Sequence, residues 1–164
     1  MKNILLLITL LSVSFLHAQS FSGNGDQKVQ IGANFQDNAT SIFASYDYGL
    51  GENFSIGVAS SYALGINNTY IDKAFADRFD IAARFNANIG NVINIDDAFD
   101  LYPGLHLGLK NFGTHLGARY FFTDGFGVFT ELNVPLAKYD TGDLEPSEKL
   151  HNQFTVNAGI VFNL

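Results

Sequence analysis

The chain has 164 residues, sixteen acidic against nine basic, for a formal net charge of −7. That balance excludes the basic surface by which proteins hold nucleic acid, and the absence of cysteine excludes both a disulfide framework and a cysteine-borne lipid anchor. Only 15% of the residues are charged, beside sixteen Phe, seven Tyr and sixteen Gly, too few to coat an ordinary water-soluble surface, where roughly 25% is usual.

The first eighteen residues read as a secretory signal. Met1-Lys2-Asn3 is a short basic head, Ile4 to Phe15 an apolar run, and Leu16-His17-Ala18 ends in the small residue that precedes a signal-peptidase cut. The apolar run is too short for a spanning helix, which needs roughly 20 residues. The expected division is therefore signal peptide 1–18, N-terminal segment 19–26 and one folded unit over 27–164.

From residue 28 onward the pattern has a period of two, the mark of strands. Val29, Ile31, Ala33 and Phe35 alternate with Lys28, Gln30, Gly32, Asn34 and Gln36. Ser41 to Tyr48 forms a second strand. In the third, Phe54, Ile56, Val58, Ser60, Tyr62 and Leu64 alternate with Ser55, Gly57, Ala59, Ser61, Ala63 and Gly65. A fourth, from Arg78 to Gly90, sets Phe79, Ile81, Ala83, Phe85, Ala87 and Ile89 against Arg78, Asp80, Ala82, Arg84, Asn86, Asn88 and Gly90.

Residues 101–122 supply the fifth and sixth strands as a hairpin with a tight turn at Lys110-Asn111. That turn pairs Leu109 with Phe112, Leu105 with Leu116, Leu101 with Tyr120 and Phe99 with Phe122. On the other face it pairs Gly108 with Gly113, His106 with His115, Gly104 with Gly117 and Tyr102 with Arg119. Phe126 to Ala137 is the seventh strand. In the eighth, Phe154, Val156, Ala158, Ile160, Phe162 and Leu164 alternate with Gln153, Thr155, Asn157, Gly159, Val161 and Asn163. Eight is an even number, as a single-chain bacterial barrel requires.

In a soluble barrel the less apolar face would meet water and be rich in Lys, Glu and Thr. Here it is crowded with Gly, Ala, Ser and Asn, which suit a narrow interior with room only for side chains. The apolar face then points outward, into lipid. Tyr48, Phe54, Phe99, Tyr120, Phe122, Phe126 and Phe162 fall near one rim and are expected to form an aromatic girdle. That rim carries the connections 49–53, 90–98 and 123–125, and the other carries the long ones at 66–77 and 138–150. Short turns of such barrels face the periplasm, so both termini are expected there.

The signal, the eight alternating strands and the ending resemble the small outer-membrane barrels of the OmpA and OmpX type. The stretch FGTHLGARYFFTDGFGVFTELNVPLAKYD, with RFNANIG and YPGL, is similar to a family of uncharacterised outer-membrane barrel proteins of diderm bacteria. The resemblance covers nearly all of the mature chain. It implies an all-β, eight-stranded antiparallel up-and-down transmembrane barrel in the outer membrane, without a peptidoglycan-binding domain. Asn157, Gly159, Phe162 and Leu164 resemble the barrel-assembly signal, with Leu164 where an aromatic residue usually stands, and this implies the barrel-assembly machinery as a partner in biogenesis.

The inward charges are Lys28, Arg78, Arg84, Lys110 and Arg119 against Asp47, Asp80, Asp100 and Glu131. With His106 and His115 they are expected to fill the lumen as a polar plug, since charges shielded from water need partners. Pairing the sixth strand with the seventh so that Gly117 faces Glu131 sets Arg119 and His115 each one diagonal step from that carboxylate. The facing His106 and His115 would bind a transition metal only with a third ligand such as Glu131. Ordinary hydrogen bonding is the favoured expectation, with no metal or cofactor.

Catalytic candidates are few. The outer face offers Ser60, Thr114 and Thr130 without a histidine, and Asp140, Asp143, Glu145 and His151 read as a solvated loop. The expected role is non-enzymatic, either structural or an interaction surface made by the long loops, for a monomer in outer-membrane lipid whose extracellular partner is unknown. The alternative is a narrow channel for water, ions or small solutes, and the third possibility is a lipid or peptide hydrolase.

Overall fold

The computed structural model describes residues 19–37, 39–66, 75–139 and 150–164. The expected signal at 1–18 lies outside them, as do Asp140, Asp143 and Glu145. Eight strands follow in order: β1 Gln27–Gln36, β2 Ala39–Gly49, β3 Phe54–Ile66, β4 Phe79–Ala87, β5 Phe99–Gly108, β6 Asn111–Thr123, β7 Phe126–Lys138 and β8 Thr155–Asn163. Each pairs antiparallel with its predecessor, and β8 returns to β1 to close the barrel. Closure removes the open edge that a sheet would otherwise present.

Alternation sorts the side chains as the sequence predicts, with burial inverted relative to a soluble protein. Arg119, Lys28, Gln30 and Glu131 are among the most fully buried side chains, whereas Ile31, Phe35, Ile56, Leu116 and Leu132 are exposed. Aromatic rings group on the outer surface near both rims. Tyr120, Phe122, Phe126 and Phe162 run in successive contact at 5.7, 6.3 and 5.7 Å between ring centroids. Near the opposite rim, Tyr62, Phe75 and Phe79 stack at 5.4 Å each.

β4 is shorter than the expected 78–90. Arg78 ends a helical turn, Phe75–Arg78, and Gly90 starts another, Gly90–Ile93. The second turn stops at Asn94, whose φ of 48° is left-handed, a conformation Asn tolerates better than most side chains. β8 begins two residues later than expected.

The β5–β6 register corrects the predicted one. The turn is Leu109-Lys110, so Phe99 pairs with Tyr120, Asp100 with Arg119, Tyr102 with Gly117, Gly104 with His115, His106 with Gly113 and Leu107 with Phe112. Partners shift by two, which leaves every residue on its predicted face. The physical reason is volume. A Cβ at Gly104, Gly113 or Gly117 would strike the ring of His115, His106 or Tyr102 respectively. Each ring thus occupies the space its glycine partner leaves, where the predicted register would crowd imidazole against imidazole and waste the gap between glycines. The β6–β7 register places Gly117 opposite Glu131, as expected.

Residues 19–26 do not trail away from the barrel. Ser20, Phe21 and Asp26 are buried at the mouth near the termini. The Ser20 amide donates to the Asp97 carbonyl at 2.8 Å and the Asn91 side chain donates to the Phe21 carbonyl at 3.0 Å. The segment covers that mouth together with the 88–98 connection.

Candidate functional site in the barrel lumen

Inward-facing positions from five of the eight strands build a ladder of alternating charge. Arg84 of β4 donates to Glu131 of β7 at 2.6 Å and lies 3.2 Å from Asp47 of β2. Arg119 of β6 lies 3.5 Å from the other Asp47 oxygen and 3.8 Å from Asp100 of β5. The Asp47 and Asp100 contacts with the arginines are charge contacts without aligned hydrogen bonds. Tyr102 sits between the two guanidiniums, 3.9 Å from Arg119 and 5.7 Å from Arg84. Its hydroxyl accepts a hydrogen bond from Gln30 of β1, and Gln30 in turn accepts one from Ser45.

Nearer the termini, Lys28 holds Asp26 at 2.5 Å and donates to Asn163 of β8 at 2.9 Å. The Lys28 ammonium also lies 5.3 Å from the ring of Phe121 and 5.9 Å from that of Phe21. An apolar cluster of Phe43, Phe121, Phe129 and Val161 packs inside the lumen, so the interior is not uniformly polar.

Of the predicted inward residues, Lys28, Asp47, Arg84, Asp100, His115, Arg119 and Glu131 are buried, and Asp80 and His106 are half-buried. Arg78 and Lys110 lie outside the strands, in the Phe75–Arg78 turn and the β5–β6 turn. Glu131 pairs with Arg84, not with Arg119 as the diagonal relation suggested. The guanidinium of Arg84, from across the barrel, reaches the carboxylate first, and His115 contacts Arg84 and Asn86 instead. The expected His106–His115 pairing is replaced by ring stacking at 5.8 Å with 25° between planes. Stacking presents ring faces, not nitrogens, and among the described residues no three potential ligands converge on a metal position.

Sequence reasoning missed Asp26, which continues the inward parity of Lys28 beyond the strand, and the amide relay. Asn34 donates to Asn157 at 2.6 Å, and Asn157 donates to Glu131 at 3.1 Å. Amides carry no charge sign, so period and composition do not reveal their partners. Asn157 is thus a lumen residue as well as part of the predicted assembly signal. Gly159 of that signal sits against Ile31 and Gly32, where a Cβ would strike backbone. Phe162 joins the outer ring contacts, and the Leu164 amide donates to the Gln27 carbonyl at 3.1 Å.

Toward the long-connection rim the lumen holds a cavity of about 90 Å³. Asn34, Asp80, His106, Asn133 and His151 line it, above the Arg84–Glu131 pair. His151 contacts the Asp77 carbonyl at 2.9 Å, which puts it at the cavity edge rather than in a solvated loop.

The architecture is shared with known proteins. A structure described as a de novo design of transmembrane β-barrels is similar at 11% identity and a TM-score of 0.54, covering 87% of this chain and 98% of the design. Outer Membrane Protein G from Pseudomonas aeruginosa, solved by NMR in solution, matches at 10% identity and a TM-score of 0.48, covering 88% and 99%. No curated protein matches the sequence. The eight-stranded antiparallel barrel thus has the fold of the designed transmembrane barrel, and because the family's profile matches residues 11–164, the chain belongs to the family of unknown function DUF6646.

Proposed function

We propose that the protein is a monomeric, non-enzymatic outer-membrane barrel with a polar plugged lumen and both termini in the periplasm. Its role is structural, or it presents the connections at 66–77 and 138–150 as an interaction surface. The observation that carries this is the inverted burial, with ion pairs inside and large apolar side chains outside. The outer face also has the right height. Phe54 to Leu64 on β3 spans ten residue steps, which at about 3.3 Å per residue and about 40° of tilt gives an apolar band of about 25 Å, as transmembrane barrels show. Its aromatic contacts near the two rims fit the two membrane interfaces.

The plug is supported by the ladder from Glu131 to Asp100, whose buried side chains reach one another across the lumen. A narrow channel is the second reading, favoured by the cavity above that ladder. Planar-bilayer recording of the folded mature chain separates them. The plug predicts silence across voltage and pH, and discrete openings would establish the channel instead. Retarded mobility of boiled against unboiled protein on a detergent gel, from outer-membrane fractions, tests the location.

A further inference from the structure

We propose that the cavity toward the long-connection rim binds a small primary ammonium solute carrying one hydrogen-bond acceptor, the amino-alcohol class. The proposal rests on the barrel fold and is independent of whether the long connections recognise a partner.

The Glu131 carboxylate only accepts hydrogen bonds. Asn157 must therefore turn its NH₂ group toward Glu131, and does so at 3.1 Å. The Asn157 carbonyl oxygen is then left to accept from the Asn34 NH₂ group, at 2.6 Å. Asn34 is in consequence oriented with its oxygen free, and that oxygen has no hydrogen-bond partner among the described residues although the residue is only 6% exposed. Two amides in series thus carry the acceptor character of a buried carboxylate to the cavity wall.

A second acceptor without a hydrogen-bond partner, Asp80 Oδ1, belongs to the same lining. Glu131 is neutralised by Arg84, whereas Asp80 makes no ion pair with another described residue. The wall therefore favours a positive charge that brings N–H donors. The wall also contains the Asn133 NH₂ group and His106 Nδ1, neither with a partner among the described residues. A solute with an ammonium at one end and a hydroxyl one or two carbons away answers both kinds of group. A cavity of about 90 Å³ admits several waters, since one needs about 10–15 Å³ of such space, and so admits a solute of a few heavy atoms. Arg84, Glu131 and Phe43 also line the cavity, with Arg84 paired to Glu131 and Phe43 packed against Phe129.

Ethanolamine is the probe, titrated into the full mature chain folded in micelles and followed by the side-chain amide NMR signals of Asn34, Asn133 and Asn157. The expected result is a saturable shift of these signals, absent with ethylene glycol or with sodium chloride at matched ionic strength. Asp80→Asn should weaken binding at least tenfold while the unboiled protein keeps its compact gel mobility. No saturable shift in the wild-type chain would show a cavity holding water only and overturn the proposal. So would an equal response to sodium chloride, or unchanged binding in a folded Asp80→Asn variant.

Discussion

The two halves of the lumen solve the same problem differently. Near the termini, opposite charges meet directly: Lys28 on Asp26, Arg119 beside Asp47 and Asp100, with Phe21 and Phe121 closing the remaining space. Toward the long connections, amides and imidazoles replace the ion pairs, and the wall keeps acceptors that nothing in the described chain satisfies. The lesson concerns saturation. The ladder balances its charges internally while leaving several hydrogen bonds unmade, whereas the amide relay brings an unmet acceptor to the cavity lining.

The largest break in that contrast should come from Arg84→Leu. It strands Glu131 in the interior and leaves Asp47 with Arg119 alone, and removing one partner of a buried pair costs about 3–5 kcal/mol. Urea unfolding in lipid vesicles, read by gel mobility, measures it. Leu132→Arg, on the outer face at mid-strand, should cost about 2–4 kcal/mol in a bilayer and much less in loosely packed detergent. Equal losses in both media would count against a lipid-facing surface.

Gly117→Ala sharpens the volume argument. Its Cβ would enter the Tyr102 ring, so a loss of about 1–3 kcal/mol is expected. In a Tyr102→Ala background the same change should be nearly silent, and a double-mutant cycle reports the difference. Lys110→Gln should be the mildest, within about 0.5 kcal/mol. Lys110 lies in the β5–β6 turn, so a loss comparable to that of Arg84→Leu would mean that the ladder extends to the rim.

The strands and their faces were legible in the chain because a narrow barrel enforces strict alternation, and Lys28, Asp47 and Arg84 are each inward by parity alone. The hairpin register was less legible. Apolar residues match apolar residues almost as well in either setting, with Leu105 opposite Thr114 in the observed one, and the fit of the Tyr102, His106 and His115 rings against glycines chooses between them. The partner of Glu131 was hidden for another reason. Arg84 reaches it across the lumen, a distance that neighbouring-strand geometry does not describe. Asp26 escaped notice because it precedes the first strand, and Asn34 and Asn157 because an uncharged amide announces no partner.

The clasp at the mouth near the termini has a consequence for the order of assembly. Lys28 belongs to the first strand, yet it grips both Asp26 and Asn163 of the last. The leading residues bond to Gly49, Asn91 and Asp97, and the arrival of Asn163 beside Lys28 adds the last grip at that mouth. A chain stalled before its last strand would keep the earlier bonds and lack that one, leaving its end more open to proteases.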